Sequence, residues 1–203
     1  MKFWSFILLS LCVTSICAQQ PDPLFSGDVE AQKAWVDSQY QNMTLDEKIG
    51  QLFIPMVFSE QNEKHFEEIK SLIENHNLGG LIFSSGSPDK QSKWLNEFQS
   101  ISKVPLLISM DAEWGVAMRL DSVVAFPWNM TLGAAKNEEV LRKIGQRMGE
   151  QERSLGVHMS YAPVLDINTN RDNPIIGNRS FGESPTLVAR KGLAIMRGHH
   201  DAG

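Results

Sequence analysis

The stretch ISMDAEWGVAMRL, residues 108–120, places two carboxylates and a guanidinium just behind a run of apolar residues. Asp111 and Glu113 can each accept hydroxyl hydrogen bonds, Arg119 offers a planar fork for a further substrate oxygen, and Trp114 stands between them. Such a set suits the floor of a pocket for a hydroxylated small molecule. A plainer reading has Glu113 and Arg119 pairing with each other in a surface loop, as ion pairs commonly do. The stretch from Ala112 to Lys136 is long for a strand-to-helix connection, and long connections in compact domains are often functional. A second constellation, APVLDINTNRDNPIIGNRSFGESP (162–185), crowds Asp166, Arg171, Asp172, Asn178, Arg179 and Glu183 into a loop with Gly177 and Gly182. Part of it is turn chemistry, in Asp172-Asn173-Pro174 and Glu183-Ser184-Pro185. His199-His200 suggests a metal, but adjacent residues on a helix point about 100° apart and do not readily share an ion. They are read as helix-face residues, with no metal site.

The elements that must hold these residues follow from hydrophobic spacing. Thr44 with Glu47 three residues on is a capping box that opens a helix, and an apolar run follows from Leu52 to Phe58. Phe66, Ile69 and Ile73 share one helical face, closed by Asn77 and Gly79-Gly80. Next come the run Leu81 to Phe83 and a helix capped by Ser87-Pro88, with Trp94, Leu95, Phe98 and Ile101 on its stripe. A third run, Val104 to Met110, leads into the first constellation. Asn137 then caps a long helix with Glu138 and Glu139 in its first turn and Gly156 at its end. A fourth run, VHMSYAPVLD, leads into the second constellation, and a last helix runs from about Pro185 to His200.

Short apolar runs alternating with amphipathic helices predict an α/β fold of βαβ units with a parallel sheet buried on both faces. Neither G-x-G-x-x-G after the first strand nor G-x-x-x-x-G-K-[ST] is present, so the nucleotide-binding folds lack their usual signatures. The polar residues gather instead after the third and fourth runs, where barrels and open sheets alike place their sites. About four βα units are visible, whereas a closed (β/α)8 barrel needs eight and about 250 residues. The chain, at 203 residues, reads as part of a longer protein.

A hydrophobic share of 42% and a charged share of 21% are those of an ordinary globular protein. With a net charge of −5 and no lysine or arginine run, neither a nucleic-acid surface nor an anionic membrane patch has electrostatic support. Lys2 precedes the apolar stretch Phe3 to Ile16, and Cys17-Ala18 offers small residues for cleavage, so residues 1–18 read as a Sec-type signal peptide. Residues 19–43 read as a leader with a short helical stretch around Ala31 to Gln41. The protein is then secreted or periplasmic, with no membrane span after cleavage; a lipoprotein cut before Cys17 is the weaker reading, because Ile16 is bulky for its place. Cys12 and Cys17 both lie in the signal segment, so the mature chain has no disulfide, thiolate metal site or cysteine nucleophile. N-x-[ST] sequons stand at Asn42, Asn129 and Asn178, the third within the second constellation.

Taken together, TLDEKIGQLF, LGGLIFS, DAEWGVAMR, FPWNMTLGAA, APVLDIN and GNRSFGESP resemble the N-terminal part of a family 3 glycoside hydrolase, most of all its β-N-acetylhexosaminidase branch. The likeness runs from about Thr44 to Gly203. It implies the first half of a (β/α)8 barrel and removal of terminal β-linked N-acetylglucosamine from glycans or peptidoglycan fragments. The implied mechanism is retaining, through a covalent glycosyl-enzyme intermediate, without metal or cofactor. By the same likeness Asp111 hydrogen-bonds hydroxyls of the terminal sugar, Arg119 lines that subsite, Arg179 contacts the same sugar, and Glu113 supports them. Trp114 stands where related sequences often have glycine, as a stacking platform or a packed loop residue. The branch's lysine-histidine motif, its histidine-aspartate acid/base pair and its aspartate nucleophile have no counterpart before Gly203, so no catalytic residue is expected within this chain. Members of the branch can also carry further C-terminal domains. The rival readings are a β-glucosidase of the same family, which usually shows histidine-glycine where this chain has Trp114-Gly115, and a carbohydrate-binding relative without catalysis.

Overall fold

The computed structural model describes residues 27–203. The expected signal peptide and the first part of the leader lie outside the described residues. Helices α1 (Val29–Asn42) and α2 (Leu45–Gly50) lead into strand β1 (Met56–Phe58), α3 (Glu63–His76), β2 (Gly80–Ser85), α4 (Pro88–Ile101) and β3 (Leu107–Met110). Then come α5 (Asn129–Gly133), α6 (Glu138–Ser154), β4 (Met159–Ser160) and α7 (Pro185–Asp201). The four strands form one sheet in the order β1-β2-β3-β4, every pair parallel. No helix among the described residues is long and apolar enough to cross a membrane.

Local chemistry sets most boundaries. Thr44 Oγ1 accepts from the Glu47 amide at 3.2 Å while the Thr44 amide donates to Glu47 Oε2 at 2.9 Å, which closes the capping box of α2. Asn62, Ser87, Asn137 and Ser184 cap α3, α4, α6 and α7, each accepting a first-turn amide. Asn77 ends α3 in the left-handed region at φ 49°.

The sheet's register sets Leu81 beside Ile108 and Phe83 beside Met110, all fully buried. Phe66, Ile69 and Ile73 of α3 and Trp94 and Phe98 of α4 join the same cluster, each such burial stabilising by about 1.5–3 kcal/mol. A second cluster, of Leu132, Leu141, Phe181, Val188 and Ile195, lies between α5, α6, α7 and the second constellation. There α6 and α7 meet nearly backbone to backbone. A Cβ on Gly198 would stand 2.0 Å from the Arg142 carbonyl oxygen, and one on Gly145 would stand 2.3 Å from that of Ile195.

Three expected strands are shorter than their apolar runs; β3 begins only at Leu107 of the run from Val104. Leu52 and Phe53 continue the turn out of α2, their amides bonding Ile49 and Gly50, and both are exposed. Pairing begins at Pro55, whose carbonyl accepts from the Ile82 amide at 3.0 Å. In the fourth run, His158 and Tyr161 donate to Ile108 and Met110 on either side of β4, and Pro163, having no amide hydrogen, cannot extend the ladder.

Candidate sugar-binding site

β3 ends at the buried Met110, and Asp111 is the next residue, so the strand delivers its carboxylate to the carboxyl end of the sheet. The chain turns at Gly115, where φ is +83° and a Cβ would stand 2.7 Å from the Phe126 ring, so glycine is required on both grounds. A 3-10 turn over Val116–Met118 brings Arg119 back to the start of the loop. Its Nη2 donates to Asp111 Oδ2 at 2.5 Å and its Nε to the Asp111 carbonyl at 3.3 Å. Both side chains keep exposed surface, 26% for Arg119 and 31% for Asp111.

The second constellation meets this loop through Arg179. It closes a 3-10 turn over Gly177–Arg179, and Ser180 next to it holds the Asp166 carbonyl at 2.6 Å. The Arg179 fork engages Glu113, with Nη2 to Oε1 at 2.8 Å and Nε to Oε2 at 2.9 Å. Nη1 reaches the Ile175 carbonyl at 3.3 Å. Glu113 is only 6% exposed against 33% for Arg179, so the carboxylate lies beneath and the guanidinium above. The bond to Glu113 holds the Arg179 guanidinium above its ordinary pKa against the opposing effect of burial, and the charges of Glu113, Asp166 and Asp111 add to it. One cation thus feels carboxylates from both constellations.

The plainer expectation, Glu113 paired with Arg119, is corrected by this geometry. Glu113 points down to the far loop and Arg119 bonds Asp111, because the tight turn at Gly115 separates two side chains that the sequence places close together. Asp111, Arg119 and Arg179 are brought to one end of the sheet with part of each side chain still exposed, while Glu113 lies beneath Arg179. Trp114 packs on Trp128, with ring centroids 4.1 Å apart. Neither Trp128 nor Asn129 was expected at the site. Asn129, 3% exposed, donates its side-chain amide to the Arg179 carbonyl at 2.8 Å, tying the start of α5 to the second constellation. Its sequence signals were a sequon and its place in FPWNMTLGAA, and its burial leaves no room for a glycan.

Asp166, exposed beyond β4, adds its charge to the field at Arg179. The two histidines lie elsewhere. His199 turns inward, with Nε2 3.5 Å from Glu152 Oε1 and Nδ1 3.1 Å from the Ile195 carbonyl, whereas His200 is exposed. Among the described residues no group of three histidine, cysteine or acidic side chains could hold a metal ion. One cavity of about 660 Å³, lined by Glu152, Ser160, His199 and His200 among others, lies beside β4 and away from the two arginines.

Residues 44–203 match the family model described as the glycosyl hydrolase family 3 N terminal domain. The chain belongs to glycosyl hydrolase family 3. The match begins at Thr44, the cap of α2, and takes in both ion pairs, leaving α1 before it. The family 3 chain is 31% identical over 149 residues to beta-hexosaminidase A of Pseudoalteromonas piscicida, covering 67% of this chain and 25% of the relative. It is 30% identical over 159 residues to the beta-N-acetylglucosaminidase/beta-glucosidase of Cellulomonas fimi, covering 78% of this chain and 28% of the relative. A solved family 3 beta-N-acetylglucosaminidase from Paenibacillus sp. superposes with a TM-score of 0.69 at 38% identity, covering 79% of this chain and 31% of that one. The chain thus spans between a quarter and a third of the length of these relatives.

Proposed function

We propose that this chain is the terminal-sugar-binding half of an exported β-N-acetylhexosaminidase, an enzyme that removes β-linked N-acetylglucosamine from glycans or peptidoglycan fragments. In this reading the four described strands are the first half of a (β/α)8 barrel, and residues 1–18 are a cleaved signal peptide followed by a leader to residue 43. The observation that carries it is the convergence at one end of the sheet of two carboxylate–guanidinium pairs, one within the loop after β3 and one joining that loop to the loop after β4. The Asp111–Arg119 pair stays partly exposed and the Arg179 guanidinium is a third exposed above the buried Glu113, an arrangement suited to a ring bearing several hydroxyls.

Asp111 accepts from sugar hydroxyls, Arg119 fixes the Asp111 carboxylate and donates to a ring substituent, and Arg179 holds the same sugar from the other side. Glu113 keeps the Arg179 fork aimed. The work of these residues is positioning, which accelerates a reaction only when reacting groups are also in place. A retaining glycosidase needs two carboxyl groups about 5–5.5 Å apart across the scissile bond. Within this chain none is assigned that role, and the acid/base and the nucleophile are assigned to sequence beyond Gly203. A second reading, a β-glucosidase, is favoured by the double name of the Cellulomonas fimi relative.

The test is hydrolysis of p-nitrophenyl N-acetyl-β-glucosaminide against the β-glucoside by the full-length protein. Preference for the acetamido sugar, lost in Asp111→Ala, supports the proposal. Preference for the glucoside, or an Asp111→Ala enzyme of unchanged kcat/KM, refutes it.

A further inference from the structure

Beside the two ion pairs stands an aromatic pair that the sugar-binding roles above do not use. Trp114 sits between Glu113 and the Gly115 turn, and Trp128 immediately precedes Asn129, whose amide holds the Arg179 carbonyl. The rings are tilted by 33° with centroids 4.1 Å apart, so one face of Trp128 is covered by Trp114. Yet Trp128 remains 44% exposed, while Trp94, which fills the core, is 5% exposed. Single exposed apolar side chains are ordinary. This one packs on the residue that follows Glu113 and precedes the residue that bonds the Arg179 carbonyl.

Hydrogen bonds and packing hold the Trp114 side of the pair. The Phe126 amide donates to the Trp114 carbonyl at 3.2 Å, the Phe126 ring packs over Gly115, and Gln151 Nε2 donates to the Val124 carbonyl at 3.3 Å. A flat face held this way loses little conformational freedom when a ligand lies on it.

We propose that Trp128, backed by Trp114, is a stacking platform for a second pyranose ring, the first ring of the leaving group. The inference rests on the reading of the ion pairs as the terminal-sugar site. A pyranose presents axial C–H groups on its faces, and these pack against an aromatic face while the hydroxyls stay at the edge in water. The polar clamps take the terminal sugar, and the platform beside Arg179 takes its neighbour. The substrate class that follows is a glycan whose penultimate residue is also a sugar, in preference to a single sugar on an aryl, alkyl or peptide group.

The test measures binding to the full-length protein of N-acetylglucosamine and of the thio-linked β-1,4 disaccharide of N-acetylglucosamine, which resists hydrolysis. The wild-type protein is expected to prefer the disaccharide by about tenfold, in the range of one aromatic stacking contact. Trp128→Leu, which keeps apolar bulk without a flat face, is expected to abolish that preference, and Trp128→Phe to retain most of it. A preference unchanged in Trp128→Leu, or absent from the wild type while the monosaccharide binds, overturns the platform and leaves the terminal-sugar site standing. Failure of the wild type to bind either sugar overturns both.

Discussion

The two ion pairs differ in depth, and that difference sets opposite effects for two substitutions of the same kind. Glu113→Gln removes the charge from a carboxylate only 6% exposed, under a guanidinium 33% exposed. The glutamine amide then turns a donor toward the arginine fork, leaving at least one N–H without a partner. Breaking a fully buried pair costs about 3–5 kcal/mol. With one partner a third exposed, water and the nearby Asp111 and Asp166 carboxylates recover part of that loss, and about 2 kcal/mol remains. For a domain of this size that is about 4–8 °C in Tm. Asp111→Asn acts on a pair whose members are 31% and 26% exposed, so the stability cost stays within about 1 kcal/mol. Under the proposed role its effect falls on the ligand: losing a charged acceptor for a sugar hydroxyl costs about 1.5–3 kcal/mol, ten- to hundredfold in affinity. Thermal unfolding and calorimetric titration with N-acetylglucosamine on the full-length protein give both numbers. Glu113→Gln is expected to be the less stable variant and Asp111→Asn the weaker binder. If Asp111→Asn lowers Tm more, or if Glu113→Gln leaves both quantities unchanged, the division between an exposed clamp and a buried support is wrong.

Burial pulls the pKa of His199 down, but the Glu152 carboxylate and the Ile195 carbonyl more than reverse this, so it sits above the ordinary 6.5. Its contribution to stability is therefore complete below about pH 6.5 and fades as the pH rises through the folded value; urea midpoints from about pH 6 to 9 should fall in the wild type and fall less in His199→Gln. Gly198→Ala forces apart α6 and α7, since its Cβ would stand 2.0 Å from the Arg142 carbonyl oxygen, and should cost about 1–3 kcal/mol by denaturant unfolding. Gly27→Ala, with nothing within 4 Å, should leave the midpoint unchanged. Asn129→Asp sets a carboxylate against the Arg179 carbonyl where an amide now donates at 2.8 Å, and is expected to cost about 1–3 kcal/mol in stability and to weaken sugar binding. Peptide mapping of secreted protein from a glycosylating host should find Asn129 unmodified.

Much of the fold was legible from local pattern. The capping box at Thr44, the caps at Ser87 and Asn137, and the apolar stripes of α3 and α4 are short-range features, and each predicted the element found. Strand lengths were less legible, because an apolar run does not say which of its amides find a partner. Leu52 and Phe53 belong to a turn, and Pro163 stops pairing after β4. Helix α5 is only five residues long, too short for periodicity to show it.

The sequence by itself determined the residue types at the carboxyl ends of β3 and β4, since chain order alone places Asp111 and Glu113 after one strand and Arg179 after the next. Which charge meets which was decided only by the tertiary structure. Arg119 is six residues from Glu113 and eight from Asp111, yet bonds the latter. Arg179 crosses 66 residues to reach Glu113. The physical reason is that local turn geometry, here the left-handed glycine at 115, sets where each side chain points, and parallel strand packing sets which loops stand side by side. Neither distance is written in the spacing of residues along the chain.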